Sequence, residues 1–382
     1  MSLNTLLSRW KTDPSVAPNT AVWKTIPPRD PAYSDLPEQL HPDLRSALQE
    51  RGIPQLYRHQ QLVWQAAIDG RNTALVTGTA SGKTLAYNLP VLDSLLKNPA
   101  RRALYLFPTK ALAHDQLHGL RSIFPFPASS YDGDTPSHKR PAIRKSAHII
   151  ITNPDMLHLG ILPHHPSWEK FFSQLQYVVL DEMHVYRGVF GSHVANVIRR
   201  LKRTAANYGA QPHFLLTSAT IGNPGELAET LIEEPVTVID KDYSSRGEKH
   251  FLIYNPPIID QELGLRAGMQ RESERLVRDL LQHQVQTILF GRSRKSVEFM
   301  LTRLREHTDL SADALRAYRS GYLPDERREI ENGLRRGEIR AVTATTALEL
   351  GIDIGGMDAA VLAGYPGTIL GMWQQAVRSE RP

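Results

Sequence analysis

From about residue 51 the chain alternates short, near-continuously apolar runs with longer amphipathic stretches. In a first series the apolar runs fall at residues 73–76, 103–107, 148–151, 177–180 and 214–216. Runs without alternating polar positions fit strands buried on both faces of a parallel sheet. Each ends in polar or glycine residues, where an open α/β sheet carries its ligand loops. A second series repeats the pattern at 251–254, 287–290, 315–318, 340–343 and 359–362. Between the two lies the polar, turn-rich stretch DKDYSSRG at 240–247, which reads as a boundary. The expected fold is α/β, with two parallel-sheet lobes in tandem over residues 51–240 and 241–382. Residues 1–50 include seven prolines between Pro14 and Pro42. They read as a proline-rich arm wrapped on the first lobe or partly disordered.

Composition narrows this picture only slightly. Hydrophobic residues make up 41% and charged residues 22%, as in ordinary globular proteins. The net charge of +5, from 45 basic and 40 acidic residues, admits a nucleic-acid partner without demonstrating one. The absence of cysteine excludes disulfides, thiolate metal sites and cysteine nucleophiles. No apolar run approaches the roughly 20 residues that span a bilayer, and the N-terminus lacks the form of a secretory signal. The default expectation is a cytoplasmic protein with no membrane partner. The fifteen histidines show no zinc spacing, so no metal beyond Mg²⁺ is expected.

The chemistry concentrates at two strand ends. Thr77-Gly-Thr-Ala-Ser-Gly-Lys-Thr84 lies between the run at 73–76 and an apparent helix from Leu85. Backbone N–H groups of such a loop, with a helix N-terminus behind them, cradle phosphate. Thr79, Ala80, Ser81 and Gly82 would form the cradle, Lys83 would reach the β- and γ-phosphates, and Thr84 would offer its hydroxyl to Mg²⁺. Thr77 replaces the first glycine of the strict P-loop pattern. After the run at 177–180 come Asp181 and Glu182. Taken with the P-loop, they suit a shared nucleotide site, Asp181 holding Mg²⁺ and Glu182 orienting and deprotonating the attacking water. Hydrolysis of ATP is the chemistry this pair of motifs indicates.

With these residues in place the sequence resembles the superfamily 2 DExH-box helicases, and the likeness runs in motif order from about Leu56 to Arg381. Tyr57-Arg-His-Gln60 resembles the adenine-reading motif, with Gln60 as its amide. Pro108-Thr-Lys-Ala-Leu-Ala113 is similar to motif Ia, Thr152-Asn-Pro-Asp-Met156 to motif Ib, and Ser218-Ala-Thr220 to motif III. Leu289-Phe-Gly-Arg-Ser293 resembles motif IV, Thr345-Thr-Ala-Leu-Glu-Leu-Gly-Ile-Asp353 motif V, and the segment from Gln374 to Arg381 motif VI. The resemblance implies two RecA-like lobes. It puts Gly351 and Asp353 near the ribose and makes Arg378 and Arg381 arginine fingers, worth about 10³ to 10⁵ in rate. It implies backbone contacts to a single strand from Thr109, Lys110, Thr152 and Asn153 in the first lobe. Arg292, Ser293 and Thr345 are their counterparts in the second. Asp181-Glu-Met-His-Val-Tyr-Arg-Gly-Val-Phe-Gly-Ser-His-Val-Ala195, with Tyr131-Asp-Gly-Asp-Thr135, is similar to the MrfA/YprA-like branch of bacterial repair helicases. That likeness implies single-stranded DNA as partner, 3′-to-5′ movement and a role in repair. Within it, RGVFGS at 187–192 fits a loop facing DNA or the opposite lobe, and equally a structural turn.

The resemblance breaks at motif VI, where Val377 and Glu380 stand in place of the family's two glycines. Relatives continue into a cysteine-containing metal-binding domain, so the second lobe is expected to be truncated at its C-terminus. Three functions follow in order of preference. The first is a DNA-stimulated ATPase and helicase. The second is a shortened module that binds ATP and nucleic acid but turns over slowly. The third is an RNA helicase of the same superfamily.

Overall fold

The computed structural model describes residues 3–78, 80–123, 126–319, 321–345, 348 and 356–376. They form two compact units, one of residues 31–244 and one joining residues 1–30 to residues 245–382.

The first unit is built on a parallel sheet of seven strands. Across the sheet they run Thr237–Ile239, Thr73–Val76, His213–Ser218, Leu175–Leu180, Arg102–Leu106, Ile149–Thr152 and Ala128–Ser130. Successive side chains of a strand point to opposite faces, and both faces are buried here. Leu104, Leu106, Ile150, Val178, Leu180, Phe214 and Leu216 pack into one apolar cluster. Ala103, Tyr105, Ile149, Ile151, Tyr177, Val179 and Leu215 pack into another on the other side. This is why these strands read as unbroken apolar runs.

The second unit carries a parallel sheet of four strands, in the order Leu315–Tyr318, Ala341–Ala344, Thr287–Phe290, Ala359–Leu362. Val277, Leu289, Val297, Met300, Leu304, Leu315 and Ala341 form its main cluster. The parallel α/β lobes expected from the apolar pattern are thus present.

Two expectations need correction. The run at 251–254 does not join the second parallel sheet. As Lys249–Tyr254 it pairs antiparallel with Thr20–Ile26. The proline-rich arm also divides. Residues 31–50 do pack on the first lobe, where Leu36, Leu40, Leu44 and Leu48 are buried with Trp64 and Tyr87. Residues 1–30 belong instead to the second unit. The helix Leu3–Trp10 buries Leu6, Leu7 and Trp10 with Val16, Leu280 and Val285. The Trp10 indole N–H donates to Asp279 at 3.2 Å. Prolines hid this element because a helix and a strand fit on either side of them.

Candidate nucleotide and strand-binding site

The loop after Thr73–Val76 turns into the helix Lys83–Lys97 through Gly82, which has φ +78. A side chain there would be strained by the backbone, and its Cβ would collide with Gln60 Nε2. Gln60 is buried and clamps this joint. Its Nε2 donates to the Gly82 carbonyl at 3.0 Å, and its Oε1 accepts from Tyr57 N–H at 2.9 Å. Thr77, at the position of the missing glycine, has a structural use. Its hydroxyl meets Ser81 Oγ at 2.7 Å, and Ser81 Oγ donates to the Gly78 carbonyl at 2.8 Å. The Lys83 ammonium donates to the carbonyls of Thr77 and Gly78. These are neutral acceptors, which a phosphate oxygen outcompetes through charge-assisted bonding.

His59, which sequence reasoning passed over, ties this loop to the end of the unit. Its Nε2–H donates to the Ser81 carbonyl at 2.8 Å, and its Nδ1 accepts from Tyr243 N–H at 3.2 Å. The two partners fix the proton on Nε2.

Asp181 and Glu182 follow the strand Leu175–Leu180, two places across the sheet from Thr73–Val76. Asp181 is buried and accepts hydrogen bonds from the Thr217 hydroxyl and from Glu182 N–H. Burial, with the Glu182 carboxylate beside it, pushes its pKa up to about 6, while the Lys83 charge opposes the rise. Tyr87, one turn into the helix, senses Thr84 and both carboxylates, and burial holds its phenol high. Lys83, Thr84, Asp181 and Glu182 therefore converge on one locality. Two crowded carboxylates with a hydroxyl form a hard oxygen donor set that fits Mg²⁺, whose charge would relieve their repulsion. Glu182 has φ +54, uncommon for a residue with a side chain and costing roughly 1 to 2 kcal/mol. That backbone turns the chain sharply from the strand into the short turn Met183–Val185.

His184 links this turn to the Ser-Ala-Thr segment. Burial, with the nearby Arg187 and Lys83 charges, lowers its pKa to about 4. The ring is neutral near pH 7, and its Nδ1 lies 3.3 Å from Ser218 Oγ and 3.4 Å from Ala219 N. The same nitrogen is 3.3 Å from Glu182 Oε2. This connection was not legible in the sequence, because it depends on adjacent strand ends meeting.

The RGVFGS stretch resolves toward structure at its glycine. The helix Gly188–Asn207 starts there, and a Cβ on Gly191 would meet the Tyr186 carbonyl oxygen at 2.5 Å. Val189 and Phe190 remain exposed.

The expected strand contacts differ in availability. Asn153 caps the following helix, accepting from Met156 N–H at 2.8 Å. Thr109 Oγ1 accepts from Leu112 N–H at 3.4 Å. Lys110 is exposed and ion-paired to Asp134 at 2.8 Å. Thr152 departs from expectation: it is buried and its hydroxyl donates to the Tyr131 carbonyl at 2.6 Å, so its side chain is committed internally. In the second unit, Ser293 caps the helix Arg294–Glu306 beside the exposed Arg292. Thr345 N–H donates to the Tyr318 carbonyl at 3.3 Å. Thr79, Gly351, Asp353, Arg378 and Arg381 lie outside the described residues. Among the described residues no helix is long and apolar enough to cross a membrane.

A phosphate loop and an acidic pair at strand ends of one parallel sheet, with a second parallel α/β unit, are the arrangement of the superfamily 2 helicase fold. Residues 57–227 match the model of the DEAD/DEAH box helicase family, and residues 272–382 match the helicase conserved C-terminal domain. The chain belongs to these helicases, in the MrfA/YprA-like branch. It is 49% identical over 370 residues to the uncharacterized ATP-dependent helicase YprA of Bacillus subtilis, covering 95% of this chain and 49% of that protein. It is 39% identical over 375 residues to the ATP-dependent helicase HRQ1 of Saccharomyces cerevisiae, covering 94% of this chain and 34% of that one. The crystal structure of the DUF1998 helicase MrfA bound to DNA superposes with a TM-score of 0.96 at 48% identity. That superposition covers 100% of this chain and 51% of MrfA. The chain thus spans about half the length of such relatives or less.

Proposed function

We propose that this chain is the ATP-hydrolysing motor of a DNA helicase that moves 3′ to 5′ along single-stranded DNA and serves repair. The convergence of Lys83, Thr84, Asp181 and Glu182 at one end of the first sheet carries this reading. The MrfA structure bound to DNA supports DNA as the partner.

In this mechanism the loop N–H groups and Lys83 hold the β- and γ-phosphates of ATP. Thr84 and Asp181 would hold Mg²⁺, which supplies charge neutralisation on the phosphates when bound. Glu182 orients a water in line with the γ-phosphorus and accepts its proton, and Gln60 reads the adenine edge by exchanging its bonds to the Gly82 carbonyl and Tyr57 N–H for the base. Neutral His184 joins the Glu182 turn to Ser218 and Ala219, so a change at the γ-phosphate reaches the third motif through one ring. Arg378 and Arg381 act as the arginine fingers, with Gly351 and Asp353 near the ribose. Thr109, Lys110, Asn153, Arg292, Ser293 and Thr345 grip the sugar–phosphate backbone without reading sequence. Val377 and Glu380, in place of two motif VI glycines, favour a second reading in which binding is intact and turnover slow.

The test is steady-state ATP hydrolysis with no nucleic acid, with single-stranded DNA and with RNA, against Lys83→Ala. DNA-stimulated hydrolysis that vanishes in the variant supports the motor. Binding of labelled ATP with no hydrolysis above the variant selects the binding module, and preferential stimulation by RNA overturns the DNA assignment.

A further inference from the structure

Along the helix Gly188–Asn207 four basic residues fall into two kinds. Arg199 and Lys202 are ion-paired with Glu233 and Glu234. Arg200 and Arg203 have no carboxylate within ion-pair distance among the described residues. They flank a cavity of about 340 Å³ lined by Leu162, His165, Arg200, Arg203, Thr204 and Asn207. No carboxylate lines it, and its polar walls are rich in N–H and O–H donors. Arg200 Nη1 donates to His158 Nδ1 at 2.8 Å, which puts that exposed ring's proton on Nε2. His165 Nδ1 is engaged by the Tyr208 hydroxyl at 2.8 Å. The C-terminal end of a helix carries partial negative charge and by itself repels anions. Any attraction here therefore comes from the two arginines, set three residues apart on one helix face.

We propose that this cavity binds the phosphate backbone of the nucleic-acid strand, extending its track beyond the motif residues. Continuity along the chain favours nucleic acid over an acidic protein. Asn153, a strand-contact candidate, caps Pro154–Met156, and that turn runs directly into Leu157–Ile161, which carries His158 to Arg200. Guanidinium groups suit phosphate because their planar forks bond two oxygens at once. This inference rests on the motor reading given above.

The experiment measures affinity for fluorescent single-stranded DNA, short and long, across a salt series. It compares the unaltered chain with Arg200→Ala/Arg203→Ala and with Arg199→Ala as the control on the same helix. Losing two phosphate contacts lowers the slope of log K against log salt by about 1.4. For the long oligonucleotide we expect that drop and at least a tenfold loss of affinity at low salt, with hydrolysis in the absence of DNA unchanged. Arg199→Ala leaves the slope intact. An unchanged slope in the double variant overturns the proposal, and arginine-dependent binding of polyglutamate with unchanged DNA affinity reassigns the surface to an acidic protein. If the double variant unfolds, Arg200→Gln/Arg203→Gln carries the same readout. If the unaltered chain binds no DNA at all, the motor reading itself has failed, which is a separate result.

Discussion

Asp181 is a residue that works against its own fold. Burial beside Glu182 raises its pKa from 3.8 to about 6. A carboxyl whose folded pKa exceeds its unfolded value stabilises the fold below pH 3.8, and that contribution is lost as pH rises through 6. At neutral pH the ionised pair is a net cost when no cation is bound. Asp181→Asn should therefore raise the metal-free melting temperature at pH 7 by a few degrees while abolishing hydrolysis, a split that calorimetry and an ATPase assay together resolve. Affinity of the metal-free chain for Mg²⁺ should fall as pH drops through about 6, when Asp181 takes up its proton. His184 runs in the opposite sense. Its folded pKa near 4 lies below the ordinary 6.5, so its contribution is present above pH 6.5 and is lost as pH falls through 4. An unchanged melting temperature in Asp181→Asn would remove the argument for stored repulsion at the site.

At the scale of the element, the turn from Asp181 into the long helix is held by close backbone packing. Gly191→Ala sets a methyl against the Tyr186 carbonyl at 2.5 Å, and rigid backbone on both sides leaves little room to yield. We expect a loss of about 1 to 3 kcal/mol, read as a lower midpoint in urea. ATP turnover should fall with it, because the displaced turn carries Glu182 and His184. Gly188, where an added Cβ meets nothing within 4 Å, makes a useful contrast, although its φ of +57 still penalises a side chain. The sequence was legible here only in part. Strands such as Leu175–Leu180 announced themselves because burial on both faces removes polar alternation. Ala128–Ser130 and Thr237–Ile239 did not, being three residues each and partly polar. The apolar run FLIY looked like a parallel-sheet strand, since an antiparallel pair with Thr20–Ile26 leaves the same short signature. Lys83, Asp181 and Glu182 were legible from motif spacing. The contacts of Thr217 and His184 were not, because they join residues more than thirty positions apart through the order of the sheet.

For the whole molecule, the second unit joins residues 1–30 to residues 245–382, and the first unit is inserted in sequence between them. Trp23 aligns with Leu252 and Lys24 with Phe251 in the antiparallel pair, and Leu6, Trp10 and Val16 fill a cluster with Leu280 and Val285. Removing residues 1–30 should therefore unfold or loosen the second unit selectively. In hydrogen exchange, protection should fall across Lys249–Tyr254 and Met269–Gln282, and protection of Thr73–Val76 and Leu175–Leu180 should persist. Equal loss in both units would refute this division of labour.

That discontinuity sets a timetable for synthesis. The helix Leu3–Trp10 leaves the ribosome ahead of the inserted unit, yet its partners near residue 280 are made more than two hundred and fifty residues later. At about 5 to 20 residues per second, the nascent chain spends tens of seconds with Leu6, Leu7 and Trp10 uncovered while the inserted unit completes itself. Residues made before the inserted unit are thus buried after it, and a nascent-chain chaperone has a long opportunity there.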